Sequence, residues 1–253
     1  MKTDRLPFWL LDILVAGLLL SRLPLPRLPQ AAFANPARAV WAYPLIGAIL
    51  GSIAVSCALL LTALGLPTAF AAGVLLAALM LTTGGMHEDG LADTADGFWG
   101  GFDQKRRLEV MKDSHLGTYG LLALIIVTGL RWSAYATLLP LGLLPIVAVA
   151  ALSRSAMPCL MIALPHARQT GLSHSVGRPG ERPTILGLGT AFTLAAACVG
   201  APALLGLLAA LLIAACIGVL SHIKIKGQTG DVLGATQQIS ELGILACFIV
   251  VLT

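Results

Sequence analysis

Long apolar runs alternate with three polar stretches along this chain. The apolar runs cover residues 40–64, 68–83, 117–130, 132–152, 184–200, 203–221 and 239–253. A helix needs about 20 mainly apolar residues to cross a bilayer. The pattern therefore predicts an all-α, polytopic membrane helical bundle with about seven transmembrane helices. It also predicts two hairpins of spans, one turning at Arg131 and the other at Pro202.

The first apolar run, residues 7–20, is short and is interrupted by Asp12. Two interpretations stay open, a marginal span and a helix that lies in the membrane interface. We favour an N-terminal interfacial helix. Residues 21–39 are rich in Pro and Arg, and the prolines exclude a regular helix throughout. The run also lacks a convincing small-residue cleavage site, so we expect no cleavable signal peptide.

The composition agrees with a membrane protein. The chain is 57% hydrophobic and 11% charged, and its mean hydropathy is +0.89. The net charge of +4 fits loop bases that face anionic lipid and an anionic substrate, and nothing in it requires nucleic acid. The five cysteines are scattered without a CxxC pair, which favours small buried side chains over a disulfide or zinc framework.

One polar stretch, residues 84–120, holds seven of the chain's 12 acidic residues. On a helix, Asp89, Asp93 and Asp96 are spaced to project from one face. Like charges at this spacing repel each other unless a cation lies among them. Carboxylate oxygens suit Mg²⁺ or Mn²⁺, and Mg²⁺ typically shares its ligands with substrate phosphates. The spacing, with Glu88 just before it, predicts a magnesium site formed by Glu88, Asp89, Asp93 and Asp96.

Basic residues follow the acidic ones within the same stretch. Lys112 and Arg107 are candidates for holding a substrate phosphate, and Asp113 for contacting substrate. Carboxylates for a metal followed by bases for phosphate are typical of metal-assisted diphosphate chemistry. The alternative is a solvated acidic face, with Arg107 and its basic neighbours as anchors on the membrane surface. Asp113 is also a plausible N-cap for a helix that starts at Ser114.

Two further polar stretches follow, Ser153 to Pro183 and His222 to Gln238. Asp231 lies between glycines in the second of them. Asp231 either completes the metal or substrate site, or the last span is capped by Thr229 or Asp231. A site role and a cap are compatible. Arg154 stands at the end of an apolar run, where an arginine usually extends to the interface. Contact with substrate is the alternative for Arg154.

Several motifs strongly resemble one known family. They are HEDGLADTADG at 87–97 and RRLEVMKDSHLGTYG at 106–120, with SRLPLP at 21–26, YPLIGAILG at 43–51 and GQTGDVLGA at 227–235. Together they resemble the bacterial cobalamin synthase family of adenosylcobinamide-GDP ribazoletransferases over nearly the full length. The resemblance implies a single integral-membrane catalytic domain, residues 1–253, in the cytoplasmic (inner) membrane, which requires Mg²⁺.

The reaction implied by the resemblance joins two small molecules. The ribose 3′-hydroxyl of α-ribazole, or of its 5′-phosphate, attacks adenosylcobinamide-GDP, and GMP leaves. We assign Asp96 as the base, with Asp93 and Lys112 as further catalytic residues. Arg107 would steady the leaving phosphate with Lys112. The full set of expected substrate contacts is Arg107, Lys112, Asp113, Arg154 and Asp231.

Three other functions are weaker fits. A CDP-alcohol phosphotransferase also binds metal and diphosphate, but this chain lacks the Arg that its motif places after the Ala. A prenyltransferase would need two aspartate boxes, whereas Asp231 stands alone in its loop. A cation transporter would carry ionisable groups at mid-membrane, whereas the carboxylates here cluster in a loop, apart from Asp12 and Glu241 near the ends of apolar runs.

The Lys and Arg positions predict the orientation. If residues 7–20 do not cross, 15 of the 16 lie on one side, including Lys2 and Arg5, and Arg131 lies opposite. The positive-inside rule makes that side cytoplasmic. The three polar loops then face the cytoplasm together. Membrane lipid and the two substrates are the expected partners, and a homo-oligomer is left open.

Overall fold

A computed structural model describes residues 7–253 of the chain. The helices are α1 (Phe8–Leu20), α2 (Tyr43–Ala63), α3 (Thr68–Thr83), α4 (Met86–Gly100), α5 (Gln104–Val110), α6 (Thr118–Leu138), α7 (Leu143–Ala163), α8 (Leu172–Val176), α9 (Glu181–Val199), α10 (Pro202–Ile225) and α11 (Gly230–Leu252). Short 3-10 segments lie at Gln30–Phe33, Pro36–Ala42 and Leu139–Leu141. The predicted all-α class is confirmed.

Within residues 7–253, six stretches are long and apolar enough to cross a membrane. They are Pro36–Ala63, Thr118–Leu141, Leu143–Ala163, Glu181–Val199, Pro202–Ile225 and Gly230–Leu252. A seventh arises when α3 is counted together with α4, although the two helices meet at 89°. Because α4 is polar and leaves the axis of α3, we treat α3 as the spanning part and α4 as lying outside the membrane. The expectation of about seven spans with a shorter N-terminal helix is confirmed.

Three predicted boundaries are wrong, one of them because α7 ends at Ala163 and not at residue 152. The chain does not turn at Arg131, because α6 continues through that residue and ends at Leu138. The turn lies at Gly142, whose φ of +89° favours glycine. The last span begins at Gly230 and not at residue 239, because the polar side chains that hid its start are buried and hydrogen-bonded inside the bundle. The hairpin at Pro202 is confirmed.

Helix α1 is held to the start of the bundle through Asp12. Its 13 residues span about 20 Å, too short to cross a bilayer. Asp12 is buried and accepts hydrogen bonds from Arg38 Nε at 2.9 Å and from Trp41 Nε1 at 3.1 Å. The carboxylate that interrupts the apolar run thus fastens α1 to the segment Pro36–Ala42.

The centre of the bundle is α7, which is buried along most of its length. It packs against α2, α9, α10 and α11. Two glycines on α2 allow the closest of these approaches. A Cβ on Gly47 would collide with the Ala150 carbonyl, and one on Gly51 would lie 2.6 Å from the Ala150 Cβ. This contact explains the glycines of the motif at residues 43–51.

The polar connections of the described chain lie together at one end of the bundle. Hydrogen bonds join them: Ala167 N–H donates to the Gln228 carbonyl at 2.9 Å, and Arg107 Nη1 donates to the Lys224 carbonyl at 3.0 Å. The opposite turns, residues 64–67, 139–142 and 200–201, contain no Lys or Arg. Two residues used in the orientation argument, Lys2 and Arg5, lie outside the described residues.

Candidate functional site

The acidic motif forms helix α4, as its spacing predicts. Gly84 and Gly85 turn the chain sharply between α3 and α4, with φ angles of +71° and +69°. Other residues rarely adopt two successive left-handed conformations, so the glycine pair makes this turn possible. As a result, α4 does not continue α3 and packs against α6 and α11.

Glycines also bring α4 against the start of α11. A Cβ on Gly90 would lie 2.7 Å from the Asp231 carbonyl oxygen, and a Cβ on Gly234 would lie 3.2 Å from the His87 Cα. The two backbones therefore meet without side chains between them. This approach places Asp231 beside the carboxylates of α4, which joins the first and third polar stretches at one site.

A polar groove of about 550 Å³ runs along α4. Its charged and titratable lining residues are Glu88, Asp89, Asp93, Lys112, Asp113 and His115. Asp89 and Lys112 are exposed, and Asp93 is half-buried. The structure thus brings five of the nine residues assigned from the sequence, three of them acids from α4, to the wall of one groove.

Asp93 has a strongly shifted titration. Burial is the largest cause that raises the pKa of Asp93 to about 7, and the nearby carboxylates of Asp89, Asp231 and Asp96 add to it in that order. The charge of Arg168 opposes this shift. Among the described residues, neither Asp89 nor Asp93 accepts a hydrogen bond through its carboxylate. Asp89 and Asp93 are neighbouring carboxylates without a hydrogen-bond partner in the described chain, and further negative charge lies close to them. This arrangement favours the binding of a cation.

Glu88 lies at the bottom of the groove and is held from inside the bundle. Its Oε1 accepts hydrogen bonds from Arg131 Nη1 and Gln238 Nε2, both at 3.1 Å. Its Oε2 is buried, and within residues 7–253 it has no hydrogen-bond partner. An orphaned carboxylate oxygen at the wall of an acidic groove is a fitting donor for a metal ion or its water ligand.

The groove carboxylates could hold Mg²⁺ only together with ligands from water or substrate. Within the described part of the chain, no three His, Cys, Asp or Glu side chains are arranged to hold an ion by themselves. Mg²⁺ commonly takes one or two carboxylates, keeps several waters and draws further oxygens from substrate phosphates. Asp89 and Asp93, with the free oxygen of Glu88, suit such a shared site. The four-carboxylate site expected from the sequence stays a prediction.

Asp96 is engaged differently from its neighbours. Its Oδ2 accepts from the Gly117 N–H and its Oδ1 from the Gly120 N–H, both at 2.8 Å. A Cβ on either glycine would collide with this carboxylate. Asp96 therefore caps the N-terminus of α6 and does not line the groove, which gives a structural reason for the glycines of LGTYG.

Two arginines assigned to substrate lie outside the groove. Arg107 donates to the carbonyls of Gly101 and Phe102 and to that of Lys224, so it braces the loop before α5 against α10. Arg154 does not extend to the interface, because α7 continues to Ala163 and surrounds this side chain with protein. It is 1% exposed and donates to the Ala150 carbonyl at 2.8 Å.

The N-cap predicted at Thr229 is confirmed, whereas the N-cap predicted at Asp113 is wrong. Thr229 is the N-cap of α11 and accepts from the Val232 N–H at 3.3 Å, as predicted. Asp113 does not cap α6, whose N-cap is Gly117. Asp113 instead accepts from both the backbone N–H and the ring Nδ1 of His115, the latter at 2.6 Å. This exposed pair lowers the pKa of Asp113 and raises that of His115.

A second, mostly apolar cavity of about 170 Å³ lies beside the groove, between α1, α7, α8 and α11. Asp89 lines both spaces. Asp231 stands at this cavity and forms an ion pair of 2.9 Å with Arg168. His87 also lines it, and burial, followed by the charge of Arg154, lowers the pKa of His87 to about 3, so the ring is neutral. Sequence reasoning identified Asp231 but missed Arg168 and this cavity.

Sequence reasoning also missed a charged network inside the membrane spans. Glu241 Oε1 accepts from Arg131 Nη2 at 2.7 Å and from the Tyr135 hydroxyl at 2.6 Å. Gln237 and Gln238 complete the network, and Gln238 Oε1 also accepts from Arg131 Nη1. The available signal was the polar spacing of QQISE at 237–241 within an otherwise apolar helix.

The model of the family described as Cobalamin-5-phosphate synthase, CobS, matches residues 12–249. A protein of Bradyrhizobium diazoefficiens named adenosylcobinamide-GDP ribazoletransferase is 39% identical over 237 residues, which cover 92% of this chain and 91% of that protein. A protein of the same name from Sinorhizobium medicae is 40% identical over 255 residues, which cover 96% and 97% respectively.

A third relative of that name, from a Sinorhizobium species, is 43% identical over 241 residues, which cover 89% of this chain and 91% of the relative. No solved structure matches the chain. The family match spans the acidic helix, the groove and every candidate residue described above. The chain belongs to the CobS family of cobalamin-5-phosphate synthases.

Proposed function

We propose that this chain catalyses the reaction for which its relatives are named, the transfer of ribazole to adenosylcobinamide-GDP. Its family makes it a transferase of cobalamin synthesis. The products are adenosylcobalamin and GMP, or the 5′-phosphate of adenosylcobalamin when the acceptor is α-ribazole 5′-phosphate. The observation that carries the proposal is the groove in which Asp89 and Asp93, without hydrogen-bond partners in the described chain, share a wall with Lys112.

Different residues of the groove would bind the metal ion and the phosphate groups of a diphosphate. Asp89 and Asp93 would hold Mg²⁺, with the free Oε2 of Glu88 beside them. When bound, the ion would neutralise negative charge on the diphosphate oxygens. Lys112 is exposed at the groove, and its ammonium group would bind the phosphate of the GMP portion.

The transfer is a displacement at phosphorus. A bond forms between the ribose 3′-oxygen and the phosphorus next to the corrinoid. The bond from that phosphorus to the bridging oxygen breaks, and GMP leaves with the electron pair. Asp93, through the carboxylate oxygen that does not hold the ion, is better placed than Asp96 to accept the hydroxyl proton, because both oxygens of Asp96 already accept backbone hydrogen bonds.

The distribution of bases supports a cytoplasmic site. Described Lys and Arg residues occupy the polar end of the bundle or, as with Arg131 and Arg154, the protein interior. By the positive-inside rule the polar end faces the cytoplasm, where the nucleotide substrate is found. The protein would therefore lie in the cytoplasmic membrane with its groove open to the cytoplasm.

The direct test is GMP release by purified protein in liposomes supplied with adenosylcobinamide-GDP and α-ribazole. We expect release that requires both substrates and stops when Mg²⁺ is removed with a chelator. Release without added α-ribazole would indicate a hydrolase. Turnover of a CDP-activated lipid in place of adenosylcobinamide-GDP would overturn the substrate assignment while retaining the diphosphate groove.

A further inference from the structure

The apolar cavity beside the acidic groove has the features of a binding site for a small ring. Its wall contains Tyr43, Met157, Met161, Leu172 and Val176. Tyr43, both methionines and Val176 are buried, so this wall is part of the packed protein and not a lipid-facing surface. An apolar cavity of about 150 Å³ accommodates a benzene ring. A space of about 170 Å³ therefore accepts a flat ring system of similar or slightly larger size.

Two lining residues of the cavity each carry a buried polar atom that has no hydrogen-bond partner among residues 7–253. His87 is 2% exposed, and its Nε2 has no hydrogen-bond partner within the described chain. Arg168 donates one nitrogen to Asp231, but its buried Nη1 is likewise unpartnered among residues 7–253. Buried polar atoms are nearly always hydrogen-bonded, so two orphans at one cavity point to a ligand with polar groups.

We propose that this cavity binds the nucleoside acceptor, with an uncharged aromatic base among the apolar side chains and the ribose at the rim. This inference rests on the proposed function and identifies where the attacking substrate binds. Aromatic rings pack favourably against methionine sulfur, which suits Met157 and Met161. The ribose hydroxyls have His87, Arg168 and Asp231 as hydrogen-bond partners.

The position of Asp89 connects this cavity to the chemistry. Asp89 lines the cavity and also the groove that would hold the diphosphate. A nucleoside bound with its base in the cavity and its ribose at the rim places its hydroxyls at the boundary between the two spaces. The transfer requires such an arrangement, because the hydroxyl must approach the phosphorus while both substrates are bound.

The test uses a substitution that narrows the cavity, at a position that tolerates a larger side chain. Leu172 on α8 lines it and is 51% exposed, so Leu172→Trp should fold. Val219→Trp is the matched control, because Val219 is 62% exposed and lines a different apolar cavity between α7 and α10. Binding of α-ribazole to protein in nanodiscs is measured without the other substrate, and KM is measured for each substrate.

We expect Leu172→Trp to weaken α-ribazole binding at least about tenfold, as for changes of methylene size in hydrophobic pockets. Its KM for α-ribazole should rise similarly, while its KM for adenosylcobinamide-GDP and both values for Val219→Trp stay near wild type. A second variant, Val176→Ala, enlarges the cavity and should improve kcat/KM for ribosides with a bulkier base.

The outcomes separate the two proposals. If GMP release is normal and Leu172→Trp behaves like Val219→Trp toward α-ribazole, the binding-site proposal is overturned and the proposed function stands. If the wild type binds α-ribazole, Leu172→Trp weakens that binding and no GMP is released, the site stands and the proposed function fails. Displacement of a bound lipid with no α-ribazole binding would assign the cavity to lipid and overturn the proposal.

Discussion

Arg131 Nη1 donates to Glu88 Oε1 at 3.1 Å, so a cation within a membrane span holds the first carboxylate of the acidic motif. The same guanidinium donates to Glu241 on α11 at 2.7 and 2.9 Å. Arg131 and Glu241 are each 1% exposed. One arginine therefore links α4, α6 and α11 and determines how α4 sits on the bundle.

Removal of one partner from this pair should destabilise the protein severely. Glu241→Leu removes the nearer carboxylate partner of Arg131 and leaves only Glu88, at 3.1 Å, as its counter-charge. Breaking a buried ion pair costs about 3–5 kcal/mol. We expect a large fall in the midpoint of thermal unfolding in detergent. The double variant Arg131→Met with Glu241→Leu should recover much of this loss. Equal stability of the single and double variants would contradict the role given to the pair.

Asp89→Asn and Asp93→Asn should each remove activity while leaving the fold intact. Neither carboxylate accepts a hydrogen bond within the described chain, so the change to Asn breaks no protein contact. GMP release should fall about 10²–10⁴-fold, the size of acid–base and electrostatic contributions. Asp103→Asn is the control, because Asp103 caps α5 outside the groove. Near-normal turnover of Asp93→Asn would exclude Asp93 from the site.

Asp96→Ala should act mainly on stability. It leaves the N–H groups of Gly117 and Gly120 without their acceptor, and loss of a helix cap costs about 0.5–2 kcal/mol. Gly120→Ala should have a similar effect, since its Cβ displaces the same carboxylate. Unfolding midpoints and GMP release are measured on both variants. Loss of activity in Asp96→Asn with an unchanged midpoint would restore Asp96 as the base.

The Asp113–His115 pair should titrate as a unit at the edge of the groove. Because Asp113 raises the pKa of His115, the ring stays protonated above its ordinary value of about 6.5. The pair contributes its full stability below the unfolded-state pKa of His115. This contribution is lost as the pH rises through the raised folded-state pKa of His115. NMR of the ring should show this raised pKa and its return toward 6.5 in Asp113→Asn. An unchanged His115 pKa in that variant would disprove the pairing.

The number of spans and the helical face of α4 could be predicted from the sequence, because both depend on local periodicity and hydropathy. The partners of the carboxylates could not. Spacing places Asp96 on the same face as Asp93, but it does not reveal that α6 begins against Asp96. The sequence predicts a turn at Arg131, because a lone charge in an apolar run is usually a loop residue. Its partner Glu241 lies 110 positions away along the chain.

The contact between Gly90 and Asp231 also makes the site sensitive to the lipid around the protein. Helix α11 begins at this contact and continues as a 23-residue span, so it behaves as a rod with one end in the site. Bilayers of different thickness change the tilt of such rods through hydrophobic mismatch. Tilting α11 moves Asp231 relative to Asp89 and Asp93. The rate of transfer should therefore vary with acyl-chain length in reconstituted membranes, even though the substrates are water-soluble.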